Sequence, residues 1–224
     1  MEVSPVTLEG RYVRLEPLLP ADETVLIAAA SDGELWNSTV TIVPDRAGMA
    51  AYIEGALRGQ ALGFELPFVI VCKTATEKAE SEAFAGVSAR GPDSRDIDVP
   101  GEVVGTTRFY DIQKNDRRVA IGYTWLALSA QRTAVNTESK LLLLTHAFEL
   151  WQCVRVELIT DVLNQQSRAA ILRIGAKQEG ILRKHMILPT GRIRDSVVFS
   201  IIDDEWPEVK ARLHGKLRAA PRVC

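Results

Sequence analysis

The residues between Ile121 and Gly175 constrain the fold of this chain more than any other part of the sequence. They read in order as a strand (IGYTWLAL), a polar loop (SAQRTAVN), a helix (TESKLLLLTHAFELW), a second strand (VRVELITDV) and a short helix that ends at Gly175. A strand that leads into exposed N–H groups at a helix start forms a site for a phosphate-bearing ligand. The stretch therefore predicts such a site after its first strand.

Periodicity and turn residues predict the remaining elements. Alternating or apolar runs predict strands at 11–18, 66–73, 103–113, 118–128, 154–160, 180–188 and 195–202. Helices are predicted from Pro20 to about Ser31, from Asp45 to Leu57, after the N-cap Asn136, after the N-cap Asn164, and from Glu205 to Leu217. The order predicts an α/β (α+β) fold with a mixed, mostly antiparallel sheet of six to seven strands and helices on both faces.

Length and composition predict one domain. The chain has 224 residues, which suits a single domain with an insertion. Residues 74–102 are rich in Glu, Ser, Asp and Gly and lack sustained periodicity, which indicates a surface insertion between two strands. The predicted domain spans residues 1–217, followed by a short tail at 218–224.

Charge and composition argue against several classes of protein. The net charge is −2 and no basic stretch suggests nucleic-acid binding. The first residues lack the apolar region of a signal peptide, and no apolar run could span a membrane. The three cysteines and three histidines share no metal-ligand spacing, so we expect no metal. Cys72 and Cys153 lie in apolar runs typical of buried thiols, which predicts a cytoplasmic location.

Four motifs in the second half carry a family resemblance. In order they are IGYTWL, QRTAVN, RVELITD-x-x-N-x-x-S and RIGA-x-x-EG-x-LR. Together they resemble the GNAT superfamily of acyl-CoA N-acyltransferases, and within it the branch of ribosomal-protein alanine N-acetyltransferases (RimJ/RimL-like). The resemblance runs from LEGRYVRLEPL to EWPEVKARL, with the insertion outside it. It implies a sheet that splays between its fourth and fifth strands, with the pantetheine arm of the cofactor in the gap.

The resemblance also implies which residues bind acetyl-CoA. The backbone near Trp125 would pair with pantetheine, the loop from Gln131 to Asn136 would wrap the pyrophosphate, and Asn164 would lie near the thioester. The implied cofactor residues are Thr124, Trp125, Leu126, Gln131, Arg132, Thr133, Ala134, Val135, Asn136, Asn164, Ser167 and Arg168.

The phosphate loop departs from the family pattern. Ala134 and Asn136 replace the two usual glycines, while Thr133 adds a hydroxyl and Arg132 a charge suited to phosphate. The alternative interpretation is an ordinary turn between a strand and a helix. For Asn164 and Ser167 the alternative is helix capping alone, and capping and ligand contact are compatible.

Catalytic roles are less defined than binding roles. The resemblance implies that Ser167 protonates the leaving thiolate, and the simplest oxyanion donor is the backbone N–H near Leu126. Relatives often carry a glutamate before the Ile-Gly-Tyr motif, where this chain has Ala120. The remaining candidates for a general base are Glu157, Asp161, Tyr123 or a water relay.

These observations predict an acetyl-CoA-dependent N-acetyltransferase. The acetyl group would pass to a primary amine, of a protein N-terminus or a small molecule, by direct attack in a ternary complex. An α-amine with a pKa of ~8 is about one-tenth neutral at pH 7, so an enzyme without an evident base suits it better than a lysine. The resemblance implies that Trp36 and Tyr52 lie where the family builds its acceptor wall, and the alternative for each is a place in the core. The alternative is a non-catalytic acyl-CoA-binding protein, and the sequence leaves a homodimer open.

Overall fold

Eight strands form one sheet in the computed structural model, which describes residues 1–73 and 101–219. The order across the sheet is β1-β2-β3-β4-β5-β6-β8-β7, and each neighbouring pair is antiparallel except β5 and β6. The strands are β1 Leu8–Glu9, β2 Val13–Pro17, β3 Leu66–Lys73, β4 Gly101–Gln113, β5 Arg118–Leu126, β6 Arg155–Asp161, β7 Lys177–Ile187 and β8 Ile193–Ile202. The predicted mixed sheet is confirmed. Its extra strand, β1, has only two residues, too few to show an alternating pattern.

Five α-helices pack on this sheet within the described residues. They are α1 Glu23–Ser31, α2 Met49–Ala61, α3 Ala134–Thr145, α4 Gln165–Ile174 and α5 Trp206–Arg218, and a π-helical turn at His146–Leu150 extends α3. The predicted start of α2 is wrong, because Asp45 caps a preceding turn by accepting the N–H of Gly48 at 2.8 Å. The predicted end is also wrong. The helix continues through Gly59. The side chain of Glu65 occupies the space in which a Cβ of residue 59 would lie.

Adjacent residues of β4 show that helices cover both faces of the sheet. Thr106 Oγ1 lies 3.0 Å from the hydroxyl of Tyr52 on α2. The next residue, Thr107, lies 3.5 Å from the Nζ of Lys140 on α3. Because successive side chains of a strand point to opposite faces, α2 and α3 lie on opposite sides. β3 is buried along its whole length between these layers.

The predicted boundaries of the insertion and of the tail also differ from the structure. Gly101 and Glu102, assigned to the insertion, belong to β4 and pair with Lys73 and Cys72. The remainder of the predicted insertion, 74–100, lies outside the described residues, as do residues 220–224 of the predicted tail. Helix α5 ends at Arg218.

The cysteines and the helices bear on the predicted environment of the chain. Cys153 is a buried free thiol as expected. Cys72 is also buried but takes part in a disulfide, so the prediction of a thiol there is wrong. Every helix within residues 1–73 and 101–219 is too short or too polar to cross a bilayer.

A buried carboxylate joins α3 to the first two strands. Glu138 accepts the backbone N–H groups of Arg11 at 2.9 Å, Tyr12 at 2.6 Å and Val13 at 2.8 Å. A Cβ at Gly10 would lie 2.5 Å from the carboxyl carbon of Glu138, so this close approach requires glycine. Burial raises the pKa of Glu138 despite the three N–H donors, which act to lower it. The carboxylate therefore fixes the start of β2 against α3.

We expect Glu138→Ala to lower the free energy of unfolding by on the order of 3 kcal/mol, because it leaves three backbone donors without their acceptor. Urea denaturation measures the loss. The matched control is Glu54→Ala, which removes an exposed carboxylate paired with Arg58 on α2 and should change stability by at most about 0.5 kcal/mol. Equal losses in the two variants would contradict a structural role for Glu138.

Candidate active site

The sheet opens between its two parallel strands. β5 and β6 pair at only three positions, Arg118–Ala120 against Arg155–Glu157. Beyond these positions each strand stays paired with its outer neighbour, β5 with β4 as far as Leu126 and β6 with β8 as far as Asp161. Residues 121–126 and 158–161 therefore present backbone edges to a gap, as the predicted splay requires.

A bulge in β5 shapes one wall of the gap. Arg108 pairs with Gly122 and Thr106 with Trp125, so two residues of β5 lie opposite one residue of β4. Tyr123 takes a left-handed conformation with φ 51°, and its carbonyl accepts a hydrogen bond from Thr106 Oγ1 at 3.1 Å. A bulge of this kind bends the strand and redirects the side chains after it.

Close packing behind the bulge depends on a glycine in β4. A Cβ at Gly105 would lie 2.0 Å from the carbonyl oxygen of Trp125. Any other residue at 105 would therefore push β4 away from β5 at the level of the gap.

The predicted phosphate loop lies at the end of β5, with one correction. The N-cap of α3 is Thr133, whose Oγ1 accepts the N–H of Val135 at 3.2 Å, and not Asn136 as predicted. Gln131 Nε2 donates to the carbonyl of Leu126 at 3.0 Å and ties the loop to the strand. The left-handed residue of the loop is Arg132, with φ 61°. The first turn of α3 leaves N–H groups without helical partners, as every helix start does.

The second predicted contact region lies at the start of α4. Asn164 caps the helix as predicted, since its Oδ1 accepts the N–H of Ser167 at 2.9 Å, and Gly175 ends it with φ 109°. The Nδ2 of Asn164 also donates to Thr41 Oγ1 at 3.0 Å. This contact brings the loop between α1 and α2 over the end of β6.

The structure brings the two sets of predicted cofactor residues together across the gap. One set, residues 124–126 and 131–136, lies at the end of β5 and the start of α3. The other set, Asn164, Ser167 and Arg168, lies at the start of α4. Gln166 Nε2 donates to Gln131 Oε1 at 3.1 Å and links the two sets.

A buried arginine between two tyrosines adjoins the bulge, and it was not among the site residues predicted from the sequence. Arg108 is 5% exposed, and its guanidinium carbon lies 4.9 Å from the ring centre of Tyr52 and 4.1 Å from that of Tyr123. Its Nη1 donates to Glu65 Oε2 at 2.6 Å. The Tyr110 ring meets the Tyr123 ring edge-on at 5.2 Å. The position of Arg108 among the buried residues of β4 could have indicated this feature in the sequence. Arginine is seldom fully buried without a partner.

Comparison with known proteins identifies the family. A model of the acetyltransferase (GNAT) domain matches residues 13–177. The chain belongs to the GNAT acetyltransferase family. It is 31% identical over 106 residues to YdaF of Bacillus subtilis (strain 168), named as a candidate ribosomal N-acetyltransferase; the match covers 47% of this chain and 57% of that protein.

Two solved structures illustrate the fold likeness of this GNAT chain. An acetyltransferase-like protein from T. thermophilus is 30% identical, covers 97% of this chain and 100% of its own, and has a TM-score of 0.75. The RimJ protein of Mycobacterium smegmatis, in complex with CoA-disulfide, is 21% identical, covers 95% and 93% of the two chains, and has a TM-score of 0.67.

The carboxylates considered as a general base in this GNAT chain both have partners. Glu157 accepts from Arg155 Nε at 2.9 Å. Asp161 is fully buried and accepts from Arg192 and from the N–H of Leu163. Burial acts to raise the pKa of Asp161, but the hydrogen bond and charge of Arg192 outweigh it and lower the pKa. A carboxylate of lowered pKa is a weaker base.

The third candidate base, Tyr123, is 48% exposed beside the gap. Burial, followed by the charge of Glu65, raises its pKa above 10.0. Its phenol therefore carries its proton at neutral pH and can donate one, but it cannot serve as a base there.

A buried lysine lies behind the bulge, on the face opposite Tyr123. Lys140 on α3 is 6% exposed, and its Nζ donates to Thr124 Oγ1 at 2.8 Å. Thr124 in turn shares a hydrogen bond of 2.8 Å with Thr107. Burial lowers the pKa of Lys140 to about 7, and within the described residues no carboxylate pairs with it.

We expect stability to rise with pH from about 7 towards 10.5, where the unfolded chain still protonates Lys140 and the folded chain does not. Each pH unit in this range should add up to about 1.4 kcal/mol, and Lys140→Met should remove the rise. Urea midpoints from pH 6 to 10 measure the effect, with the exposed Lys114→Met as the control. Parallel pH profiles for the wild type and Lys140→Met would contradict the assignment.

Proposed function

We propose that this chain transfers the acetyl group of acetyl-CoA to a primary amine by direct attack in a ternary complex. The observation that carries the proposal is the three-residue pairing of β5 and β6, which leaves two backbone edges open beside a helix start. The amide groups of pantetheine can pair with an open strand edge as a neighbouring strand would. A cytoplasmic location belongs to the same proposal.

The pyrophosphate is proposed to bind at the loop from Gln131 to Asn136. First-turn N–H groups and the positive end of the helix dipole attract anions there. Arg132 is exposed, and no carboxylate pairs with it within residues 1–73 and 101–219. Its left-handed backbone turns the chain just before the helix start. The CoA-disulfide bound to the RimJ structure supports a cofactor of this type for the shared fold.

The proposed reaction needs no covalent intermediate. The neutral amine nitrogen attacks the thioester carbonyl carbon, and the oxyanion that forms accepts a hydrogen bond from the backbone N–H near Leu126. The carbon–sulfur bond then breaks and the carbonyl re-forms. The thiolate takes a proton from Ser167, which regains one from water, and the nitrogen loses its extra proton to water. Tyr123 carries its proton beside the same gap and is a second candidate donor to the thiolate.

The acceptor is proposed to be an α-amine, of a protein N-terminus or a small molecule. Ala120 occupies the position of the family's frequent glutamate, and Glu157 and Asp161 are held by arginines. At pH 7 about one-tenth of an α-amine is neutral without a base, whereas a lysine amine is almost wholly charged. YdaF, named as a candidate ribosomal N-acetyltransferase, supports a protein N-terminus.

A non-catalytic acyl-CoA-binding protein is the second candidate, and the same Ala120 favours it. Thiol release from acetyl-CoA with a panel of amines, read by mass spectrometry, separates the two. Acetylated products support the enzyme. Cofactor binding without turnover on any amine supports the second candidate.

We expect Arg132→Ala to weaken acetyl-CoA binding by roughly 1.5–3 kcal/mol, the value of a charge-assisted hydrogen bond to phosphate. Isothermal calorimetry measures the change. Arg117→Ala is a matched control, because Arg117 is also exposed and left-handed, with φ 48°, in the turn at the opposite end of β5. Unchanged affinity in Arg132→Ala would remove Arg132 from the site.

We expect Ser167→Ala to reduce kcat on the order of 100-fold if the hydroxyl protonates the thiolate. Cofactor affinity should change little, because alanine keeps the N–H that Asn164 accepts. Steady-state kinetics and calorimetry give the two values. Ser31→Ala, which removes an exposed hydroxyl bonded to the carbonyl of Ile27, is the control. An intact kcat would reject the role of Ser167 as the acid.

A further inference from the structure

A row of arginines crosses the sheet face that carries Tyr123, and all but one have a carboxylate partner. The pairs are Arg108 with Glu65 at 2.6 Å, Arg118 with Asp111 at 2.7 Å, Arg155 with Glu157 at 2.9 Å, and Arg192 with Asp161. Arg194 is the exception. Within the described residues its guanidinium forms no ion pair, and its Nε is buried without a hydrogen-bond partner.

Strand register puts Arg194 on the face that lines the gap. Glu157 pairs with Ser200 and Asp161 pairs with Ser196 across β6 and β8. Directly paired residues share a face, and alternate residues along a strand do also. Arg194 is two residues from Ser196 and therefore lies on the face of Asp161, just past the end of β6.

Arg194 lies within electrostatic range of groups on both sides of the gap. These are Asp161 and Arg192 on its own side and Tyr110 and Tyr123 on the opposite side, and burial lowers the pKa of Arg194. The two oxygens of Asp161 accept hydrogen bonds from the N–H of Leu163 and from Arg192, and within the described residues neither accepts one from Arg194. The guanidinium thus faces the gap at the level of the bulge, next to the proposed site of acetyl transfer.

A half-buried guanidinium with an unmatched donor is unfavourable, because a buried N–H without an acceptor has lost its hydrogen bond to water. The planar arrangement of N–H groups on arginine matches a carboxylate with two parallel hydrogen bonds. A carboxylate entering the gap would therefore satisfy both the charge and the buried Nε of Arg194.

We propose that Arg194 binds a carboxylate carried by the acceptor amine. The substrate class is then an amine with a carboxylate nearby, either a free α-amino acid or a peptide with an acidic residue close to its N-terminus. This inference rests on the proposed function and adds the chemistry by which the acceptor is selected. Arg192 donates to the carbonyl of Thr39 and Asn164 to Thr41, so the loop between α1 and α2 is held beside the same region.

Paired acceptors test the proposal. An amino acid is compared with its amide, and a short amidated peptide with Asp at the second position is compared with its Asn counterpart. For the wild type we expect kcat/KM to favour the carboxylate member of at least one pair by roughly 10- to 100-fold. Whichever pair shows the preference identifies the source of the carboxylate.

Two variants test whether Arg194 causes the preference for the carboxylate acceptor. Arg194→Gln should bring kcat/KM for the carboxylate member down to that of its neutral partner. Arg183→Gln, which alters an exposed arginine on β7, should keep the preference. Turnover without any preference in the wild type, or a preference that survives in Arg194→Gln, would overturn the inference.

A binding measurement separates this inference from the proposed function. N-acetylated amino acids and their amides are titrated by calorimetry into the CoA-loaded protein. If no amine supports thiol release, the proposed function fails, and these titrations still decide the role of Arg194. Tighter binding of the acid to the wild type than to Arg194→Gln supports it, and equal binding overturns it.

Discussion

The short contact between β5 and β6 is the feature on which the rest of the molecule depends. Three paired positions hold the two halves of the sheet together at one end. Past Ala120 the bulge at Tyr123 turns β5 away, while seven pairs with β8 hold β6 in place. Because each strand keeps its outer neighbour, the unpaired edges remain ordered. The gap is thus a preformed feature of the sheet, and the start of α3, the start of α4 and the loop over β6 meet around it.

A basic residue is buried near the bulge on each face of the sheet, and the two are stabilised in different ways. On one face Tyr123 stacks on Arg108 beside Glu65, so a buried positive charge is neutralised next to the gap. On the other face Lys140 lies beside the hydroxyls of Thr107 and Thr124, and burial favours its neutral form. Two charged residues in adjacent layers are thus tolerated in different ways, one by pairing and one by losing its proton.

Local sequence signals predicted the elements that form the site more reliably than their boundaries. Asn164 and Gly175 bound α4 as expected, because capping and a left-handed terminus depend on neighbouring residues alone. The N-cap of α3 is Thr133 and not the predicted Asn136. Threonine and asparagine are both good caps, so the local sequence does not distinguish between them. Helix α2 extends past Leu57, where the sequence predicted that it would end, and through Gly59. The packing of Glu65 against Gly59 outweighs the low helix propensity of glycine.

The type and order of the elements, the segments that flank the gap and the family they imply could all be predicted from the sequence, because they depend on short-range periodicity and on motifs contiguous in the chain. Which charges meet could not be predicted in this way, because it depends on the folded arrangement of the strands. Arg192 and Arg194 are near neighbours in the sequence, yet one pairs with Asp161 and the other does not. That difference follows from the pairing of β8 with β6, a contact between residues more than 30 positions apart. No local pattern records such a contact.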